Sequence, residues 1–244
     1  MNGEPLSVGI VVALVVILLT LVIFRLFKQK TDRKGVLLLG LCEAGKTLLY
    51  ARLVHGKYIK SYTSQKENKG LFHVKDKKKP GILQIVDLPG YERVRSAFFE
   101  KSKNTARGII FVVDSVTAQK DMRDVAELLY NVLSDKFVSS NGIPVLIACN
   151  KQDVTMAKSA KALKPLLEKE MNMLRITRAA ALESIDSSGS GSVHLGKRGK
   201  DFEFSHLGGG VKVEFCDCSA HGSESGDDGP AQLAPVIEWL AKLV

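Results

Sequence analysis

The stretch GLCEAGKT at residues 40–47 decides the fold. It fits the pattern G-x-x-x-x-G-K-[ST], in which glycines let the backbone curl so that successive N–H groups point at phosphate oxygens. An apolar run, residues 35–39, precedes the stretch, and a segment with helical spacing, residues 46–55, follows it. This is the strand, loop and helix context that a phosphate-binding loop requires. The pattern therefore predicts a nucleoside triphosphate site on an α/β fold.

Each position of this phosphate loop is a candidate nucleotide contact. We expect the lysine to reach the β- and γ-phosphates and the threonine to place its hydroxyl on Mg²⁺, with the positive end of the following helix favouring anions. The candidate residues are Gly40, Leu41, Cys42, Glu43, Ala44, Gly45, Lys46 and Thr47.

A second motif, Asn150-Lys-Gln-Asp153, follows the apolar run PVLIAC and indicates guanine. The carboxylate of Asp153 can accept hydrogen bonds from both N–H groups on one edge of guanine, and adenine would leave that charge unpaired. Asn150 is expected to hold the base and the neighbouring loop, and the stem of Lys151 to lie along the ring. The motif predicts GTP/GDP as ligand and disfavours an adenine-nucleotide enzyme.

Short apolar runs alternate with helical segments from residue 35 onward, which predicts a mostly parallel six-stranded sheet with helices on both faces. A Ser- and Gly-rich stretch, residues 184–210, is predicted to be a long loop inserted into a domain that covers residues 35–244. The candidate strands are residues 35–39, 71–74, 82–86, 108–114, 144–150 and 211–215, and the candidate helices are residues 46–55, 119–137, 156–182 and 231–243.

The amino-terminal segment predicts a membrane anchor. Residues 5–24 carry no charge, and at about 1.5 Å per residue a helix of this length spans ~30 Å of hydrocarbon. We expect residues 1–4 to be lumenal, residues 5–25 to cross the membrane and residues 26–34 to form a basic cytosolic linker, because Lys and Arg cluster on that side. Residues 1–4 contain no Lys or Arg, which argues against a cleaved signal peptide.

Composition narrows the remaining function classes. The net charge of +9 fits nucleic acid, an anionic membrane or an acidic partner, but aromatic residues do not interleave with Lys and Arg, so no direct nucleic-acid binding is expected. The four cysteines lack the spacing of a disulfide framework or a zinc site and are expected to be reduced thiols. They are Cys42, Cys149, Cys216 and Cys218.

Three weaker motifs occur in the order that small GTPases show. Residues 87–90, DLPG, resemble the D-x-x-G motif, in which Asp87 would hold Mg²⁺ and the N–H of Gly90 would contact the γ-phosphate. Residues 218–220, CSA, resemble the loop whose backbone N–H contacts the guanine oxygen, which implies Ser219 and Ala220. In residues 61–64, SYTS, Thr63 or Ser64 corresponds to the switch threonine on Mg²⁺, and Thr63 is preferred.

Together these residues resemble the Ras-like GTPase superfamily over about residues 34–244, and within it the Arf/Sar-like branch. The anchor, the DLPG and NKQD forms, and LGKRGKDFEFS at residues 195–205 are similar to the family of signal recognition particle receptor β subunits. The resemblance implies a single-pass endoplasmic reticulum protein with a cytosolic GTPase domain. It also implies GTP-dependent binding of the receptor α subunit and, through it, of signal recognition particle and ribosome.

The catalytic candidates are Thr63, Gly90 and Tyr91. Tyr91 departs from the glutamine that most small GTPases carry there to orient the attacking water, and a phenol is a poor general base at neutral pH. We therefore expect slow intrinsic hydrolysis unless a partner assists. Arg93 and Arg95 are expected to face solvent or a partner.

Three functions remain open from the sequence. The first is a GTP-gated membrane adaptor whose switch segments create a partner surface. The second is an Arf/Sar-like cycling GTPase in vesicle trafficking, which a permanent anchor disfavours. In the third, the nucleotide is a structural cofactor of a scaffold.

Overall fold

The computed structural model describes residues 13–17, 20, 33–74, 80–183, 195–197, 199–222 and 230–244. The chain divides into two compact units, Met1–Arg33 and Lys34–Val244. In the first unit, residues 13–17 and 20 are helical and exposed, and most of the predicted spanning segment, residues 5–25, lies outside the described residues. Within the described part of the chain, no helix combines the length and apolar character needed to cross a membrane.

Six strands form one sheet in the order β2-β3-β1-β4-β5-β6. β2 pairs antiparallel with β3, whereas all other neighbouring pairs are parallel. The predicted mostly parallel six-stranded sheet is thereby confirmed. The strands are β1 (Gly35–Leu39), β2 (Asn68–Val74), β3 (Gly81–Asp87), β4 (Ala106–Asp114), β5 (Val145–Asn150) and β6 (Val213–Asp217).

The described helices of the second unit include one that the sequence analysis missed, α2. In α2 only Phe99 and Ser102 are buried, so the sequence shows no apolar face of helical period. The helices are α1 (Lys46–His55), α2 (Glu92–Ser102), α3 (Met122–Leu133), α4 (Lys136–Ser140), α5 (Ala160–Glu183) and α6 (Ala234–Lys242), with short 3₁₀ turns at Lys103–Thr105 and Phe204–His206.

Local signals explain where two of the predicted helices begin and end. α1 has its predicted bounds because Gly45 and Gly56, with φ of 88° and 66°, flank it in the left-handed conformation. The single helix predicted over residues 119–137 is instead two helices. Asp135 separates them, since its carboxylate accepts hydrogen bonds from the N–H groups of Phe137 and Val138 and thus caps α4.

Alternate residues of the central strands feed two hydrophobic cores, one on each face of the sheet. In β1, Leu37 and Leu39 pack in one core together with residues of α3 and α5. Val36 and Leu38 pack in the other core, with residues of α1 and α6. The prediction of helices on both faces is therefore correct, and the fully buried strands explain the continuous apolar runs in the sequence.

The carboxyl-terminal part of the predicted inserted loop packs against the rest of the domain. Leu195, Phe202 and Phe204 are buried in the same core as α5. Arg175 of α5 donates hydrogen bonds to the carbonyls of Lys197 (3.2 Å) and Lys200 across this stretch. The apolar and aromatic residues in the stretch therefore anchor it to the domain, whereas residues 184–194 lie outside the described residues.

Candidate functional site

The phosphate loop connects β1 to α1 and has the geometry that its glycines predict. A Cβ atom at Gly40, where φ is 144°, would lie 2.2 Å from the carbonyl oxygen of Val112. At Gly45, a Cβ atom would lie 2.4 Å from Nδ2 of Asn150. Neither position has room for a side chain, so the loop backbone passes close to both neighbouring elements. This close approach keeps the loop curled at the amino end of α1.

A cavity of about 430 Å³ opens in front of this loop. The phosphate loop forms one wall, and residues 61–64 together with Leu88 and Gly90 form another. Lys151 also lines the cavity. Three predicted elements that are distant in sequence, the phosphate loop, the switch segment and the DLPG motif, therefore share one cavity.

Lys46 is the buried cation of this cavity. Its Nζ donates a hydrogen bond to the carbonyl oxygen of Leu41 at 2.6 Å. Burial lowers the pKa of Lys46, and the neighbouring Asp87 offsets part of that effect. An anionic ligand next to Nζ would favour the charged amine, so the buried lysine is suited to phosphate.

Asp87 provides the strongest indication of a metal position. Its Oδ2 accepts hydrogen bonds from Oγ1 of Thr47 at 2.9 Å and Nδ2 of Asn68 at 3.0 Å. Its Oδ1 is buried without a hydrogen-bond partner, and burial raises the pKa of this carboxyl group. A partnerless carboxylate oxygen beside a threonine hydroxyl fits a hard divalent cation.

The residues present fit Mg²⁺ in particular. Among the described residues, no group of three or more His, Cys, Asp or Glu side chains is arranged to hold a metal. Mg²⁺ is commonly held by one or two protein oxygens together with waters and substrate phosphates. Thr47 and Asp87 can supply those protein oxygens beside the phosphate loop.

The switch segment presents Ser64, rather than the preferred Thr63, to this position. Oγ of Ser64 lies 3.0 Å from Oγ1 of Thr47, while Thr63 is exposed and lines the cavity. The geometry therefore favours Ser64, the alternative switch residue that the sequence left open.

The base-binding motifs meet on the other side of the phosphate loop. Asn150 ends β5, and its Nδ2 donates to the carbonyl oxygen of Ala44 at 2.9 Å, while its Oδ1 accepts from the N–H of Ala220 at 3.0 Å. Oγ of Ser219 donates a hydrogen bond to Oδ1 of Asp153. One buried amide thus joins the phosphate loop to the predicted guanine loop.

Two further polar residues of the site were missed in the sequence. Asp114 ends β4 beside Asn150 in the sheet register and forms an ion pair with Lys151, with 2.6 Å between Oδ2 and Nζ. Asn68 begins β2 and contacts Asp87. Asp114 carried a usable signal, because an acidic residue at the carboxyl end of a parallel strand lies at the ligand edge. No pattern in the sequence marks Asn68.

The DLPG motif packs directly on the phosphate loop. A Cβ atom at Gly90 would lie 2.7 Å from Nζ of Lys46 and 3.0 Å from the backbone of Cys42. Arg95 donates a hydrogen bond from Nη1 to the carbonyl oxygen of Gly90 at 3.2 Å. Its Nε is buried without a hydrogen-bond partner, and burial lowers the pKa of the guanidinium. The side chain of Arg95 is thus only partly exposed and contacts the DLPG motif, which the expectation that it faces solvent or a partner did not include.

Tyr91 lies exposed at the amino end of α2. Its side chain is 48% exposed, and its carbonyl oxygen accepts from the N–H groups of Val94 and Arg95 at the start of α2. The phenol is not among the groups that line the cavity. Arg93 is exposed, as expected.

Comparisons with known proteins point to one family. The family model described as "Signal recognition particle receptor beta subunit" matches residues 31–211. The protein of that name from Homo sapiens is 46% identical over 241 residues, 98% of this chain and 88% of that protein. "The Structure of the Mammalian SRP Receptor" aligns with a TM-score of 0.74 at 42% identity, over 86% of this chain and 100% of that one. ADP-ribosylation factor-like protein 4D of Mus musculus is 31% identical over only 63% of this chain.

Proposed function

The chain belongs to the signal recognition particle receptor β subunit family, and from that premise we propose that it binds GTP and Mg²⁺ and anchors the receptor α subunit at the endoplasmic reticulum. Binding of the α subunit depends on GTP and serves co-translational protein targeting. The signal recognition particle and the ribosome are reached through the α subunit.

One observation carries the GTP-dependent step. The phosphate loop, residues 61–64 and Gly90 all line the same cavity. A γ-phosphate in that cavity would contact both switch segments, whereas GDP has no γ-phosphate and would not make the contact with Gly90. Nucleotide state therefore sets the arrangement of two segments that lie far apart in sequence.

The same two segments carry the exposed apolar side chains that a protein partner would bury. Tyr62 is 79% exposed and Tyr91 is 48% exposed. Aromatic residues of this kind are enriched in protein interfaces. The α subunit would contact this surface only when the nucleotide orders it.

The nucleotide and metal contacts follow from the geometry around the cavity. The phosphate loop and Lys46 hold the phosphates, Asp153 with the loop at Ser219 and Ala220 holds guanine, and Thr47, Ser64 and Asp87 face Mg²⁺. Mg²⁺ supplies charge neutralisation to the β- and γ-phosphates when bound.

Intrinsic hydrolysis is proposed to be slow. Tyr91 lies outside the cavity lining and offers no effective base for an attacking water. The GTP-bound state then persists long enough to hold the partner, and faster turnover requires a group from outside this chain.

The anchor is proposed from the sequence. Residues 5–25 cross the membrane once, with residues 1–4 lumenal and the GTPase domain cytosolic. The full chain would partition into lipid vesicles and resist extraction at high salt. A chain starting at Lys34 would not.

A nucleotide-dependent capture experiment tests the function. The full chain in detergent is loaded with a non-hydrolysable GTP analogue or with GDP and incubated with purified receptor α subunit. We expect capture in the GTP state alone. Arg93→Ala, which changes an exposed side chain beside Tyr91, tests whether the surface around the second switch segment contributes.

The other outcomes separate the alternatives. Equal capture in both states would indicate a scaffold with a structural nucleotide. Capture of vesicle coat proteins from extract, without the α subunit, would support an Arf/Sar-like role.

A further inference from the structure

Arg52, in the last turn of α1, reaches the predicted guanine loop from outside the cavity. Its Nε donates to the carbonyl oxygen of Ala220 at 3.1 Å, and its Nη2 donates to the carbonyl oxygen of His221 at 3.0 Å. Two successive carbonyls are thus held by one planar guanidinium, which is a fixed fork of donors. The contact joins residues that are 168 and 169 positions apart in sequence.

Aromatic contacts hold this guanidinium in place. Its Cζ lies 5.5 Å from the ring centroid of Tyr58. The same ring contacts His221 edge to face, with 5.3 Å between centroids and an interplanar angle of 81°. Arg52, Tyr58 and His221 therefore form one packed cluster behind the loop, and Tyr58 precedes the switch segment.

The rest of the loop is fixed on its other side. Ser219 exchanges two backbone hydrogen bonds with Gln232, at 3.1 and 2.9 Å. The N–H of Ala220 donates a hydrogen bond to Oδ1 of Asn150 at 3.0 Å. Arg52 acts on the two peptide groups that follow Ala220, so it controls the direction of the loop backbone after the guanine-contacting position.

We propose that Arg52 is a positioning residue for guanine recognition: by holding the carbonyls of Ala220 and His221, it fixes the loop backbone that would contact the 6-oxo group of the base. The proposal rests on the function proposed above and deepens it. Arg52 does not line the cavity, so it acts through the loop and leaves the phosphate contacts to other residues.

The experiment compares three nucleotides that differ only in the base. GTP has both the 6-oxo and the 2-amino group, inosine triphosphate retains the 6-oxo group, and 2-aminopurine riboside triphosphate lacks it. Affinities are measured for the full chain in detergent by competition with a fluorescent GDP. The variants are Arg52→Met and Arg52→Lys.

We expect Arg52→Met to weaken GTP and inosine triphosphate by about tenfold, the size of one lost hydrogen bond. The affinity for 2-aminopurine riboside triphosphate should change less than about twofold on the same scale. Arg52→Lys should lie between wild type and Arg52→Met, because a lysine can hold one of the two carbonyls.

Arg107→Met is the matched control. Arg107 also donates to two successive main-chain oxygens, those of Leu243 and Val244, away from the nucleotide. Arg107→Met should lower the melting temperature without changing the relative affinities of the three nucleotides. If Arg52→Met does not fold, Arg52→Lys carries the comparison.

Two results would overturn the inference. An equal loss for all three nucleotides would make Arg52 a general stabilising residue, and no loss for any of them would remove its role at the site. A wild-type chain that binds GTP no better than 2-aminopurine riboside triphosphate would instead refute the proposed guanine specificity.

Discussion

Replacing Asp87 by asparagine should stabilise the nucleotide-free protein while removing its response to Mg²⁺. Asp87 is fully buried. An amide oxygen can keep both hydrogen bonds, from Thr47 at 2.9 Å and Asn68 at 3.0 Å. The amide nitrogen then replaces the partnerless Oδ1, and the buried negative charge is removed.

The size of the expected gain in stability follows from Oδ1 of Asp87, the oxygen that has no hydrogen-bond partner. A buried polar atom that is left without a hydrogen-bond partner costs about 1–3 kcal/mol, and more when it is charged. Attraction from Lys46 offsets part of this cost, but burial is the larger influence on the pKa of Asp87. We therefore expect a gain of about 1–2 kcal/mol in the free energy of unfolding. This corresponds to roughly 2–4 °C in melting temperature per kcal/mol for a domain of this size.

The pH dependence has a definite sign. Because the pKa of Asp87 is raised in the folded state, the wild-type carboxyl contributes favourably at low pH, and that contribution is lost as the pH rises through the folded pKa. The advantage of Asp87→Asn should therefore be full at neutral pH and shrink as the solution becomes acidic.

Thermal unfolding of the full chain provides the assay. Wild type and Asp87→Asn are melted with a chelator at neutral and acidic pH, then with GTP and increasing Mg²⁺. Only the wild type should gain stability as Mg²⁺ is added. Asp114→Asn is the control, since it removes a carboxylate that is paired with Lys151 and should not raise stability. A lower melting temperature for nucleotide-free Asp87→Asn at neutral pH would refute the reasoning, because the carboxylate would then be net stabilising.

Three further substitutions test separate parts of the site. Asp153→Asn should move the preference from guanine to xanthine nucleotides, because it replaces a hydrogen-bond acceptor by a donor. The affinity for GTP should fall and that for xanthosine triphosphate should rise, each by about tenfold or more. Competition binding would show the change, and a retained GTP preference would exclude Asp153 from base recognition. Gly45→Ala should abolish measurable GTP binding, because the added Cβ would meet Nδ2 of Asn150 at 2.4 Å and φ is 88°; Gly56→Ala, where no atom lies within 4 Å of the added Cβ, controls for the cost of positive φ alone. Tyr91→Gln should raise single-turnover hydrolysis by about tenfold or more if a water-orienting side chain is what the site lacks, and an unchanged rate would mean that Tyr91 is not the limit.

The local motifs were readable in the sequence because each depends on a few neighbouring residues. Each motif stands at the end of an apolar strand: the glycines of the phosphate loop follow β1, the polar run begins with the last residue of β5, and the acidic residue is the last residue of β3. Parallel strands place their carboxyl ends at one edge, so these motifs had to converge. The two-sided burial of the sheet was likewise visible in the uninterrupted apolar runs.

The positions that were missed lack such a local signal. α2 buries few residues, so no periodicity marked it. Arg95 was expected to face solvent or a partner because an arginine in a polar segment normally does so, yet it is half-buried and donates a hydrogen bond to the carbonyl oxygen of Gly90. The prediction of a loop over residues 184–210 did not include the packing of Leu195, Phe202 and Phe204 in the core that contains residues of α5, because Gly and charged residues surround these apolar side chains.

The sequence by itself predicted the nucleotide and established the order of the motifs and the class of sheet, because these depend on residue types at short fixed spacings. Tertiary structure decided which hydroxyl faces the magnesium position, where Ser64 lies beside Thr47, and that Arg52 supports the guanine loop from another element. These contacts join residues far apart in the chain. Their geometry depends on how helices and loops pack against the sheet, and short-range spacing carries no record of that packing.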